Sequence, residues 1–105
     1  MSKSKTKNSH QKRLLKYKIA NGKNYVSCCF CKKPIPISEA TLEHIIPLAL
    51  GGNWNAKNLC LSCATCNRDR GIAKFQEYQA WKRGLLNIKP ITDINKLKEY
   101  EYENL

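Results

Sequence analysis

The chain has 105 residues and a net charge of +11, from 19 Lys and Arg against 8 Asp and Glu. One domain is the default at this length, with a core small enough to need a metal or disulfides as a staple. No apolar run is long enough to cross a bilayer, which excludes a membrane-spanning role, and the opening Met1-Ser2-Lys3-Ser4-Lys5 lacks the apolar stretch of a signal peptide.

The expected compartment is therefore a reducing cytoplasm, where paired cysteines read as metal ligands before disulfides. Charge is distributed unevenly: Met1 to Pro36 hold ten basic residues, and no acidic residue occurs before Glu39. A basic arm of this kind fits a polyanion such as nucleic acid, with a solvated tail as the plainer alternative.

In chain order, residues 1 to 9 have almost nothing to bury and are expected to be disordered. His10 to Ala20 fit a short helix with a thin stripe of Leu14, Leu15 and Ile19, stopped by Asn21-Gly22. Tyr25-Val26-Ser27 is a short strand leading into Cys28, and Pro34 and Pro36 predict an irregular segment after it. Thr41 to Ile46, rich in β-branched residues, reads as a strand ended by Pro47. After the turn-rich Gly51-Gly52-Asn53-Trp54-Asn55 comes a second strand, Asn58 to Ser62, pairing with the first as an antiparallel hairpin. Helical character runs from Ala64 to about Leu86, weakened at Gly71 and Gly84, with Phe75, Tyr78 and Trp81 as a core stripe. A last helix over Ile94, Leu97 and Tyr100 is capped by Thr92 or Asp93.

The cysteines carry the strongest signal. Cys28 and Cys31 form one Cys-x-x-Cys pair and Cys63 and Cys66 another, about thirty residues on. Four thiolates at this spacing can close a tetrahedral zinc shell. Such a shell leaves no open position, so the expected zinc is structural and catalysis would need a second metal. Cys29 and Cys60 are left over and read as small apolar core residues.

A resemblance follows from the residues inside this frame. Leu42-Glu43-His44-Ile45-Ile46-Pro47, then Gly51-Gly52, Asn58-Leu59 and Cys63-x-x-Cys66-Asn67 resemble the HNH endonuclease motif, with the flanking cysteines of its zinc-containing branch. The resemblance covers Cys28 to about Lys74. It implies an α+β fold: a small ββα-metal (His-Me finger) core with a structural zinc knuckle and flanking helices. The expected organisation is a basic arm over 1–24, partly disordered or a short helix, a nuclease domain over 25–90 and a C-terminal helix over 91–105.

The chemistry can also be argued from the residues. Phosphodiester hydrolysis needs a nucleophile, charge relief at phosphorus and help for the leaving oxygen. His44 has the right range to take a proton from water, and Glu43 and Asn67 offer oxygen ligands for a hard divalent ion, Mg²⁺ or Mn²⁺. The resemblance implies the same roles: His44 as general base, Glu43 and Asn67 as ligands of the catalytic ion, Asn58 as the residue that braces the loop and orients the base. Relatives often carry Asp where Glu43 stands. Strict strand alternation would also point Glu43 and His44 to opposite faces, unless the strand twists, bulges or ends there.

Beyond Asn67, Arg68, Arg70 and Lys74 continue the expected helix, with Arg70 and Lys74 sharing a face at i and i+4. With Lys12, Arg13 and Lys16 of the arm they form the expected DNA-phosphate contacts, which position without reading sequence. Trp54 suits either a groove wedge or a packing role. The expected function is a metal-dependent DNA endonuclease using one catalytic metal. The alternative is a zinc-dependent nucleic-acid-binding module without catalysis, or a subunit of a larger nucleic-acid-processing complex. A homodimer or larger complex stays open.

Overall fold

The computed structural model describes residues 7–103. The disorder expected at the N-terminus therefore concerns, for residues 1–6, a segment outside the described residues. Helix α1 spans Ser9–Ala20 and begins one residue earlier than expected. The cause is a capping box: Asn8 Oδ1 accepts from the Gln11 N–H at 2.8 Å, and Gln11 Oε1 accepts from the Asn8 N–H at 3.0 Å. Asn21 at φ 52° ends the helix in the left-handed conformation, as the Asn-Gly step predicts.

Strands β1 (Tyr25–Ser27) and β2 (Pro34–Pro36) pair antiparallel, with Val26 opposite Ile35. The irregular segment expected around the prolines is thus a strand. The Cys28 N–H donates to Lys33 O and the Ile37 N–H to Asn24 O, so residues 33, 35 and 37 turn their polar groups to β1. Pro34 and Pro36 alternate with them, and their missing N–H groups fall on the outer edge, where proline is tolerated. The first cysteine knuckle is the turn of this ribbon, with Lys32 at φ 63°.

Strand β3 (Thr41–His44) pairs antiparallel with β4 (Leu59–Ser62), in the register Thr41↔Ser62, Leu42↔Leu61, Glu43↔Cys60 and His44↔Leu59. Helix α2 (Ala64–Arg70) follows β4 directly, giving the β-β-α succession. The single long helix expected from Ala64 is two, because the chain breaks at Gly71. Gly71 has φ 49°, and a Cβ there would lie 2.1 Å from Thr92 O, which also accepts the Ile72 N–H. Helix α3 spans Phe75–Lys82 and helix α4 Ile94–Glu103, where Asp93 Oδ1 accepts the Asn95 N–H in a capping contact.

The core gathers where the two ribbons meet α2 and α3. Phe30, from the first knuckle, is fully buried against Phe75 and Tyr78, with ring centroids 4.9 and 5.1 Å away. Tyr78 in turn meets Trp81 at 5.6 Å, so the aromatic stripe is a core stripe. Ile35, Leu61 and Ala73 complete it. The architecture is α+β: helices with two small antiparallel sheets and the four knuckle cysteines clustered. Among the described residues no helix is long and apolar enough to cross a membrane.

Candidate metal centre and active site

The two knuckles bring four sulfurs together. Cys28, Cys31, Cys63 and Cys66 offer ligand atoms that all lie within 4.8 Å of one another, with Cys31 and Cys63 Sγ 3.9 Å apart. An ion bound at ~2.3 Å to each corner of a tetrahedron would set sulfurs roughly 3.8 Å apart, so the cluster fits zinc. Backbone donors are already aimed at the sulfurs. The Phe30 and Cys63 N–H groups point to Cys28 Sγ at 3.4 and 3.3 Å, and the Cys66 N–H points to Cys63 Sγ at 3.4 Å. Burial pushes the Cys28 thiol up, but the backbone N–H groups of Cys31, Cys63 and Phe30 outweigh it and bring it down to about 7. Burial and the neighbouring thiols push Cys66 up. Four sulfurs at this spacing, with backbone N–H groups aimed at them, make a donor set suited to zinc.

Cys29 and Cys60 stand apart from this cluster. Both are half-buried against the core edge, with sulfurs 2.7 Å from each other.

β3 ends at His44 rather than at Ile46. The Ile45 N–H donates to Asn58 O at 2.8 Å, and the Asn58 side chain accepts from the Ile46 N–H at 2.8 Å while donating to Ile46 O and Asn53 O at 3.1 and 2.9 Å. The chain therefore leaves the sheet immediately after the imidazole. This ending lets neighbours in sequence serve one place: Glu43 and His44 both line a pocket of about 270 Å³, together with Leu42, Pro47, Leu48 and Arg70. Larger clefts of about 500 Å³ beside Cys29 and Cys60 and about 530 Å³ along Ile46 and Ile72 are lined by neither a carboxylate nor an imidazole.

Within the smaller pocket the two side chains differ sharply. Glu43 is 4 % exposed and both its oxygens are engaged: Oε1 accepts from Ser62 Oγ at 2.8 Å, Oε2 from an Arg70 Nη at 3.0 Å. His44 is half-buried and meets the Trp54 ring edge-on at 4.3 Å, which gives Trp54 a packing role. His44 Nε2 is buried with no hydrogen-bond partner among the described residues. Burial pulls this imidazole below its ordinary 6.5; the Glu43 charge opposes the shift and Lys12, on α1, adds to it.

Asn67 lies on α2, one turn before Arg70 and half-buried; it is not part of the wall formed by Glu43 and His44. Its backbone N–H donates to Cys63 O, which ties its position to the second knuckle. Of the basic residues, Arg68, Lys74, Lys12 and Arg13 are exposed and Lys16 is half-buried. Arg70 and Lys74 do not share a helix face as expected: α2 ends at Arg70, Gly71 turns the chain, and Lys74 stands at the start of α3. Arg70 also turns inward, donating from its second Nη to Ala73 O at 3.0 Å. Sequence reasoning missed Ser62, the placing of Trp54 against His44 and the inward turn of Arg70. The β3–β4 register was the one available hint for Ser62, which sits two places along from Glu43's partner.

Comparison with known proteins agrees with this frame. Residues 28–74 match the family model described as HNH endonuclease. Over 49 residues the chain is 37 % identical to the CRISPR-associated endonuclease Cas9 of Corynebacterium diphtheriae, an alignment covering 46 % of this chain and 4 % of that protein. The chain thus spans a small fraction of that relative's length. The match to the HNH endonuclease family model spans the cysteine-framed segment 28–74, a little under half of the chain, where the motif had indicated it.

Proposed function

We propose that the protein is a metal-dependent DNA endonuclease with a structural zinc. The observation that carries this reading is the His44 imidazole: it lines a pocket with Glu43 and Arg70, and its Nε2 is buried without a partner among the described residues. A buried polar atom left unsatisfied in a native fold calls for an explanation, and a ligand or water taken up during function is one. The downward shift of the imidazole keeps it neutral near pH 7, the form able to take a proton.

In this reading His44 is the general base that removes a proton from the attacking water. Trp54 and the braced Ile45–Ile46 segment hold its ring. Glu43 would hold a divalent ion, Mg²⁺ or Mn²⁺, and Asn67, outside the wall of that pocket, keeps the ligand role the motif implies, because a carboxylate and an amide oxygen suit a hard cation. Such an ion supplies Lewis-acid relief of charge at the phosphate and the departing oxygen. The exposed Arg68, Lys74, Lys12 and Arg13 would contact DNA phosphates, supported by their charge and by the basic excess of the chain. The test is plasmid cleavage by zinc-loaded protein with Mg²⁺, Mn²⁺ or EDTA: cutting with the ions and none with EDTA is expected. Binding of DNA without cutting in any metal would favour the non-catalytic module instead.

A further inference from the structure

We propose that the Arg70 guanidinium is the resident cation of the acidic site, and that a divalent ion binds there only by displacing it from Glu43. This rests on the nuclease reading above. Glu43 is almost wholly buried and each of its oxygens accepts a hydrogen bond: one from Ser62 Oγ at 2.8 Å, the other from Arg70 at 3.0 Å. The Arg70 side chain is 20 % exposed, so water screens this pair weakly. A small divalent ion needs the carboxylate oxygen at close range and in strict geometry. Sharing that carboxylate with a guanidinium would bring two positive charges together in a poorly screened place, which opposes binding of the ion while Arg70 stays. The two cations are therefore competitors for one ligand.

Arg70 also has reason to leave. One Nη donates to Glu43 and the other to Ala73 O, but Nε is buried without a partner among the described residues. A guanidinium turned to a phosphate can satisfy its donors in pairs. The same side chain then serves two positions: on Glu43 when the ion is absent, and on substrate phosphate once the ion has taken its place. Ser62 stays with Glu43 in both and keeps the carboxylate aimed. Ion and DNA binding are coupled through this one residue, and the coupling is reciprocal.

The test is calorimetric titration of Mn²⁺ into zinc-loaded wild-type, Arg70→Gln and Arg70→Lys proteins. Arg70→Gln should bind Mn²⁺ at least about fivefold more tightly than wild type, the lower end of a typical coupling, with Arg70→Lys close to wild type. Binding by wild type that is equalled or weakened in Arg70→Gln overturns the inference and leaves the nuclease reading standing. No Mn²⁺ binding by any of the three removes the ion site from that reading, and the inference with it. If Arg70→Gln fails to fold, the wild-type protein still decides the matter. Saturating Mg²⁺ should shift the nitrogen-15 signals of the Arg70 guanidinium and free its Nη groups to rotate; signals that do not move overturn the inference.

Discussion

The Asn58 side chain grips Ile46 from both sides, accepting its N–H at 2.8 Å and donating to its C=O at 3.1 Å. A third bond, to Asn53 O, ties the returning loop to the same amide. One side chain thereby ends β3 after His44 and fixes the loop that carries Trp54 onto the imidazole. Asn58→Ala removes these bonds and leaves backbone groups of the loop without partners. We expect a stability loss of about 1–3 kcal/mol, read as a lower thermal midpoint. Cleavage should fall further than stability alone explains, because the ring of His44 loses its support. An unchanged midpoint would mean that the loop is held by other contacts.

The four-cysteine cluster should behave as a folding element. Cys66→Ser replaces a buried thiolate ligand with a poor one for zinc, and the remaining thiols then crowd without a cation. Zinc content measured by atomic absorption should fall well below one ion per chain, with loss of cooperative melting. Strong chelators should have the same effect on the wild-type protein. Cys60→Ser, outside the cluster, should leave zinc content unchanged.

The pH dependence of cleavage follows from His44. A general base works deprotonated, so kcat/KM should rise with pH through the imidazole's own titration and level off above it. Burial and Lys12 set that titration below the ordinary 6.5. Removing the Lys12 charge makes the imidazolium easier to form, so Lys12→Gln should move the rising limb to higher pH. A limb that stays put or moves to lower pH in that variant would contradict the assignment.

Gly71 gives a sharper structural test. Its positive φ and the 2.1 Å approach of Thr92 O leave no room for a Cβ. Gly71→Ala should cost more than the ~1 kcal/mol of a simple helix-propensity change, since it also pushes the 92–93 segment away from α2. Limited proteolysis between α3 and α4 should quicken in this variant.

Much of this arrangement is legible in the sequence because it rests on local signals. The Cys-x-x-Cys pairs, the Asn-Gly stop after α1, the hairpin β3–β4 and the Phe75–Tyr78–Trp81 stripe each follow from spacing or turn chemistry. The misreadings have one physical source, namely contacts from residues distant in the chain. Pro34 and Pro36 suggested irregular backbone, yet a ribbon edge accepts proline where N–H groups face outward. The helical pattern ran through Gly71, and only the approach of Thr92 stops it. Arg70, expected on one helix face with Lys74, turns to Glu43, 27 residues earlier. No periodicity in either segment announces that ion pair. Ser62 is hidden in the same way, since its hydroxyl meets Glu43 only through the strand pairing.

The most direct measurement is cleavage of supercoiled plasmid by zinc-loaded wild-type and His44→Ala proteins in Mg²⁺, with zinc content and DNA affinity measured alongside. The imidazole as general base predicts a rate loss of roughly 10²- to 10⁴-fold in His44→Ala, with zinc and DNA binding retained. Cutting at the wild-type rate by the zinc-loaded variant would contradict the account at its centre.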